Sequence, residues 1–155
     1  MSAIAVFQDK VKGTVRFTED IDNHCTIIDI DLKGLKRNFS HGFHVHEYGD
    51  MSEGCSTMCS HFNPYGKTHG SNKSKERHVG DLGNIVTDSF GNAKYRMTDP
   101  VIRLRGTKSN IIGRGLVIHD QTDDLGMGGN EESLKTGNAG KRIACAVIGI
   151  GRPPN

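Results

Sequence analysis

The chain has 155 residues, of which 34% are apolar and 25% charged, with 20 glycines, no tryptophan and a net charge of +2. That length supports one domain with a substantial core. The balanced charge, with no long Lys/Arg run and no aromatics interleaved among basic residues, excludes tracking of a nucleic-acid backbone, and no apolar stretch approaches the ~18 residues a membrane helix needs.

The N-terminus, MSAIAVFQDKVKG, carries too short an apolar run for a secretory leader, which sets the expectation of a cytoplasmic protein. Val15 and Phe17 then alternate with Thr14, Arg16 and Thr18, and Ile28, Ile30 and Leu32 alternate with Asp29 and Asp31. Further on, Ala93, Tyr95 and Met97 alternate with polar neighbours, as do Ile102 and Leu104 with Arg103 and Arg105. Period-two alternation predicts antiparallel strands with one buried face. Leu116–His119 and Ala144–Ile150 are further apolar strands, and Lys12-Gly13, Ser89–Asn92 and Arg105-Gly106 supply turn chemistry. No helical stripe competes, so the fold class is all-β. Two long segments, about 47–79 and 120–141, break the strand rhythm; loops of that length in a compact domain are functional or disordered. The domain is expected to span residues 1–150, with 151–155 as a free tail.

The segment from His41 to Asp81 holds His41, His44, His46, His61, His69 and His78, six of the chain's eight histidines. His44 and His46 lie two apart in a strand-like stretch, so both imidazoles point to one face and form a two-toothed platform for a metal. His119, in LVIHD, can join them from a neighbouring strand. His61, His69, His78 and Asp81 supply three imidazoles and a carboxylate, the donor set of a closed zinc site, and a metal would stabilise a loop too polar to build its own core. Asp123 or Asp124 could orient ligand imidazoles; spacing alone favours solvated turn residues there. Four cysteines, Cys25, Cys55, Cys59 and Cys145, default to free thiols in a cytosolic chain.

Together, HGFHVHEYGD (41–50), GC and HFNP (54–64), KERHVGDLGN (75–84), IIGRGLVIH (111–119), DDLGMGGNEES (123–133) and KTGNAGKRIACAVIGI (135–150) resemble the copper/zinc superoxide dismutase family, eukaryotic intracellular type, over nearly the whole chain. The resemblance implies an eight-stranded Greek-key β-barrel with a metal-binding and an electrostatic loop. It implies an oxidoreductase that disproportionates superoxide to dioxygen and hydrogen peroxide. Copper would sit on His44, His46, His61 and His119, and zinc on His61, His69, His78 and Asp81, with His61 bridging. Asp123 would link His44 to His69, Arg142 would guide the anion, Thr136 would narrow the channel, and Glu131, Glu132 and Lys135 would shape the approach field. Cys55 and Cys145 would form a disulfide, and His41 would be a structural hydrogen-bonding residue. A homodimer is implied, with Gly49, Ile112, Gly113 and Ile150 at contact positions. Whether a copper chaperone loads the site stays open, as does a cellular or viral source, the latter placing the protein in host cytoplasm or a virion.

The chain departs from relatives at Gln121, where lysine is frequent, and at Cys59, two residues before His61. Cys59 could compete with Cys55 for Cys145, and Met51, Met58 and Cys59 soften the first loop toward Cu(I). A carrier or inactive decoy on the same fold would be expected to have lost copper ligands or Arg142. All are present here.

Overall fold

A computed structural model describes residues 1–153. Nine strands follow one another as β1 (Ser2–Gln8), β2 (Lys12–Asp20), β3 (Cys25–Lys33), β4 (Ser40–His46), β5 (Ser52–Cys55), β6 (Asp81–Val86), β7 (Ala93–Asp99), β8 (Gly115–His119) and β9 (Arg142–Gly151). All but β5 form one eight-stranded sheet in the order β6-β4-β8-β9-β1-β2-β3-β7, with every pairing antiparallel. The edge strands β6 and β7 meet at Tyr95, whose phenol accepts from Val86 N (3.1 Å) and donates to Asn84 O (3.4 Å). The result is a nearly closed barrel. Around it, the β3–β4 and β7–β8 connections each pass two strands, which is the Greek-key topology expected.

The alternation read from the sequence is the in–out pattern of the sheet. Val15 and Phe17 on β2, and Ile28, Ile30 and Leu32 on β3, enter the core with Phe43, Val45, Leu116, Ile118 and Ile148. Each such side chain stabilises the fold by about 2 kcal/mol on full burial. Two strands of the sheet escaped the sequence reading. In β1, Ile4 and Val6 on the outer face mask the alternation of Ala3, Ala5 and Phe7. In β6, the short run DLGNIV begins at a candidate ligand and mixes polar and apolar residues.

Three local expectations are corrected. Ile102 and Leu104 are buried, but they belong to no strand of the sheet; their segment folds over one end of the barrel, where Thr26 Oγ1 donates to Ile102 O and Glu19 Oε1 accepts from Leu104 N. Lys12-Gly13 is the start of β2 and not a turn: Gly13 pairs with Leu32, and a Cβ there would lie 2.0 Å from Asp31 O. Gly151, read as tail, is the last residue of β9 and pairs with Ser2, while Arg152 O accepts from Arg16. Pro154 and Asn155 lie outside the described residues.

The two long segments carry little regular structure beyond β5 and the single 3-10 turns Ser56–Met58 and Glu132–Leu134. Both lie against β4. That strand is covered on both sides: Phe43 and Val45 face the barrel core, and Gly42, His44 and His46 are buried on the opposite face.

Candidate metal centre

His44 and His46 project from the outer face of β4, as their spacing predicts. His44 pairs with Val117 and His46 with Gly115 on β8, and a register shift between Ile118 and His119 ends that strand at His119. His61 is held to β4 by backbone pairing with His46, reinforced by Phe62 N donating to Val45 O and Glu47 N to Ser60 O. All four imidazoles are buried, and they present ring nitrogens within 4.8 Å of one another. His61, His69, His78 and Asp81 form a second buried set by the same measure, so His61 belongs to both.

The hydrogen bonds of these rings leave a specific remainder. His44 Nε2 donates to Asp123 Oδ2 (2.6 Å), His46 Nδ1 to Cys59 O (2.7 Å) and His119 Nδ1 to Gly140 O (3.0 Å). Buried nitrogens without any partner are then His44 Nδ1, His46 Nε2, His61 Nε2, His119 Nε2 and His69 Nδ1. Orphaned buried polar atoms are costly, and four of them, one from each ring of the first set, are the lone pairs a copper ion would take. In the second set, His61 Nδ1 and His78 Nδ1 lie 3.0 and 3.2 Å from Asp81 Oδ1. His69 Nδ1 lies 2.9 Å from the same oxygen without making a hydrogen bond. Three nitrogens converging on one carboxylate oxygen fit a tetrahedral zinc site.

Asp123 joins the two sets, because its Oδ1 accepts from His69 Nε2 (2.7 Å) while Oδ2 accepts from His44. Only glycine fits at Gly137 beside this bridge: its φ is 71°, and a Cβ would lie 2.2 Å from Asp123 Oδ1 and 2.5 Å from His69 Nε2. Asp124, the alternative the spacing left open, instead accepts from Ser133 Oγ and Asn138 Nδ2 and so ties the second loop to itself.

Burial lowers the pKa of His44, His46 and His61, and that of His119 to about 4. These rings are therefore neutral at physiological pH, with lone pairs free for a metal. His69 goes the other way: burial opposes its charge, but the carboxylates of Asp123 and Asp81 outweigh it and raise its pKa to about 9. Burial also opposes the charge of Asp81, yet its three histidine partners hold its pKa well below the usual range.

A cavity of about 970 Å³ opens over the first set, lined by His46, His61, His119, Arg142, Thr136 and Lys135 among others. The Arg142 guanidinium is fixed by donating to Cys55 O (2.8 Å) and Cys59 O. Thr136 Oγ1 donates to Glu132 Oε2 (2.6 Å). Glu131 is exposed and outside the cavity lining, whereas Glu132 and Lys135 belong to it. Cys55 and Cys145 are disulfide-bonded, while Cys25 and Cys59 are free. His41 belongs to neither set: it is buried, with Nδ1 donating to His119 O and Nε2 accepting from Lys36 N.

Compared with known proteins, residues 11–148 match the family described as copper/zinc superoxide dismutase (SODC). The chain belongs to the copper/zinc superoxide dismutase family. A Cu-Zn superoxide dismutase of Paramecium bursaria Chlorella virus 1 is 60% identical over 152 residues, covering 98% of this chain and 80% of the relative. One from Neurospora crassa is 53% identical over 152 residues, covering 97% of this chain and 98% of its own. Among solved structures, the clock protein EA4 superposes with a TM-score of 0.92 at 44% identity, covering 97% of this chain and 94% of its own.

Within this superoxide dismutase family member, several residues that position the site were not singled out from the sequence. Asn84 clasps Asp123 through both backbone groups, donating to its O and accepting from its N. Arg77 is buried and binds Asp99 together with the carbonyls of Asn72, His78 and Val79. Arg77 and Asn84 both fall inside the KERHVGDLGN stretch, so the signal was motif membership; the partners were invisible.

Proposed function

We propose that the chain is a superoxide dismutase whose copper is held by His44 Nδ1 and the Nε2 atoms of His46, His61 and His119. Zinc would be held by the Nδ1 atoms of His61, His69 and His78 and by Asp81 Oδ1. The observation that carries this reading is the convergence of four unpartnered buried nitrogens beneath a cavity bearing Arg142. Bound copper would supply one-electron chemistry, by which one superoxide becomes dioxygen and a second, with two protons, becomes hydrogen peroxide; zinc, without redox chemistry, would order the loop.

The chain's own residues do the rest. Arg142, held by two carbonyls, presents a fixed positive charge to a small anion, an attraction that weakens as ionic strength rises. Thr136, anchored by Glu132, lines the same cavity and limits what can pass. His61 Nε2 is unpartnered and its ring lines the cavity, so it can carry one of the protons whenever that nitrogen is not bound to metal. Asp123 keeps the Nε2 protons of His44 and His69 in place and leaves their Nδ1 atoms for metal.

The test is superoxide dismutation by protein loaded with copper and zinc, with metal content measured alongside. Turnover near the diffusional ceiling of about 10⁹ M⁻¹s⁻¹, lost in His119→Ala, is expected. Full metal occupancy without turnover would favour a carrier or decoy.

A homodimer is proposed from one exposed face. A Cβ on Gly49 would lie 2.2 Å from Gly113 O and 3.1 Å from Val147 Cγ1, which brings three segments together beside Ile112 and the exposed Ile150. Sedimentation of wild-type protein and Ile150→Lys would test it, with the variant expected to run as a monomer. We also propose a cytoplasmic setting, or host cytoplasm or virion for a viral source, the latter supported by the likeness to the Chlorella virus enzyme. Among the described residues no helix is long and apolar enough to cross a membrane. Loading by a copper chaperone is the remaining proposed partnership, tested by whether free copper restores activity to the metal-free protein without one.

A further inference from the structure

Three of the chain's four cysteines gather beside Arg142. Cys55 and Cys59 flank one 3-10 turn, Cys55 at its start and Cys59 at its end. One guanidinium binds the carbonyls of both, and the Cys59 thiol lies 3.7 Å from Thr57 O within the same turn. Arg142 lies on β9, three residues before Cys145, the disulfide partner of Cys55. The disulfide is not sealed: Cys55 and Cys145 are both half-buried, and Cys59 is exposed and free. Cys59 also has φ 62° and ψ −137°, a conformation that side-chain-bearing residues rarely adopt.

We propose that Cys59 is a resolving thiol for the Cys55–Cys145 disulfide, giving the chain a thiol–disulfide switch beside its metal centre. Cys59 loses its proton and its sulfur attacks Cys145 Sγ. The Cys59–Cys145 bond forms, the Cys55–Cys145 bond breaks, and Cys55 leaves as a thiolate that takes up the proton. No electrons are gained or lost, so the exchange needs no external oxidant or reductant. Its consequence follows from the Cys59 carbonyl, which accepts from His46 Nδ1 (2.7 Å) and from Arg142. Drawing Cys59 onto Cys145 moves that carbonyl and frees both a ring of the first histidine set and the cavity's guanidinium. The native pairing is then the active state and the exchanged pairing the impaired one.

The methionines make the pairing readable. Cleavage by cyanogen bromide after Met51, Met58, Met97 and Met127 puts Cys25, Cys55, Cys59 and Cys145 on four different fragments. Copper- and zinc-loaded protein is held in a reduced/oxidised glutathione buffer, quenched in acid at intervals, cleaved and mapped by mass spectrometry. A species joining 59–97 to 128–155 should grow at the expense of 52–58 joined to 128–155, with dismutase activity falling in proportion. In Cys59→Ser that species is absent, and activity holds at the variant's own starting value. Wild-type protein that keeps only the 52–58 linkage, while Cys145 exchanges with glutathione, overturns the proposal, as does exchange without loss of activity. The effect on activity rests on the dismutase reading, but the fragment map does not. Protein inert from the outset refutes that reading, while the fragments still decide the exchange.

Discussion

At the scale of single residues, Asp123 is the most consequential group that binds no metal in this arrangement. Its two oxygens hold two buried histidines from different metal sets at 2.6 and 2.7 Å. Asp123→Asn replaces one acceptor with a donor and removes the charge, so one of the two rings loses its fixed tautomer. Metal affinity is expected to fall about 10- to 100-fold, the usual effect of removing such a partner, as measured by chelator competition; unchanged affinity would mean that packing alone sets the rings. Cys59 makes a different case, since its backbone conformation burdens the stability of the fold. Cys59→Gly relaxes φ 62°, ψ −137° while keeping the carbonyl, and is expected to stabilise the fold by about 1 kcal/mol in urea denaturation. A loss of stability would show that the thiol contributes contacts that outweigh the backbone strain.

Among the elements, the first long loop depends on ties as much as on metal. Arg77 donates to Asn72 O (2.7 Å), His78 O (2.9 Å) and Val79 O (2.7 Å), and pairs with Asp99 at the end of β7 (2.7 Å). Asp99 in turn accepts from the backbone of Val101 and Ile102 at the start of the β7–β8 connection. Arg77→Leu leaves a buried carboxylate and three carbonyls without their partner. A cost of about 3–5 kcal/mol is expected, with weaker zinc retention, measured by denaturation of metal-free and metal-loaded protein. The disulfide secures the same loop at its other end, closing a separation of 90 residues; such a closure is worth about 4.6 kcal/mol in the chain-entropy model. The disulfide was implied by the family resemblance, but the Arg77–Asp99 tie was not legible beforehand. A lone arginine and a lone aspartate 22 residues apart carry no pattern that pairs them, and Ile102 and Leu104 imitate a strand because a loop sealing a barrel end also alternates in and out.

For the whole molecule, burying so many imidazoles ties metal-free stability to pH. His119 drops from 6.5 unfolded to about 4 folded, chiefly by burial. The folded state therefore binds fewer protons, and stability present above pH 6.5 is lost as pH falls toward 4. That is about 3 kcal/mol for this residue, and His44, His46 and His61 act in the same direction. His69, raised to about 9, contributes stability below 6.5 that is lost as pH rises through 9. Metal-free protein should thus be most stable near neutral pH, with the steeper fall on the acid side, in denaturation midpoints across pH. A flat acid limb would contradict this account. Metal-loaded protein should hold its stability further into acid, because bound metal competes with protons for the same nitrogens.

What the sequence determined by itself was the set of parts: alternating strands, two long loops, and histidines at strand spacing ready to bind metal. Those signals are local, since side-chain periodicity and donor chemistry act within a few residues along the chain. Spacing left Asp123 and Asp124 open and the family resemblance named Asp123 as the bridge; tertiary structure alone decided that Gly137 leaves room for that bridge and that the Cys59 carbonyl holds both His46 and Arg142. It also decided that Ile102 and Leu104 plug the barrel. Each of these depends on distant segments meeting in space, and such pairings arise when the strands close into a barrel and press both loops onto the outer face of β4.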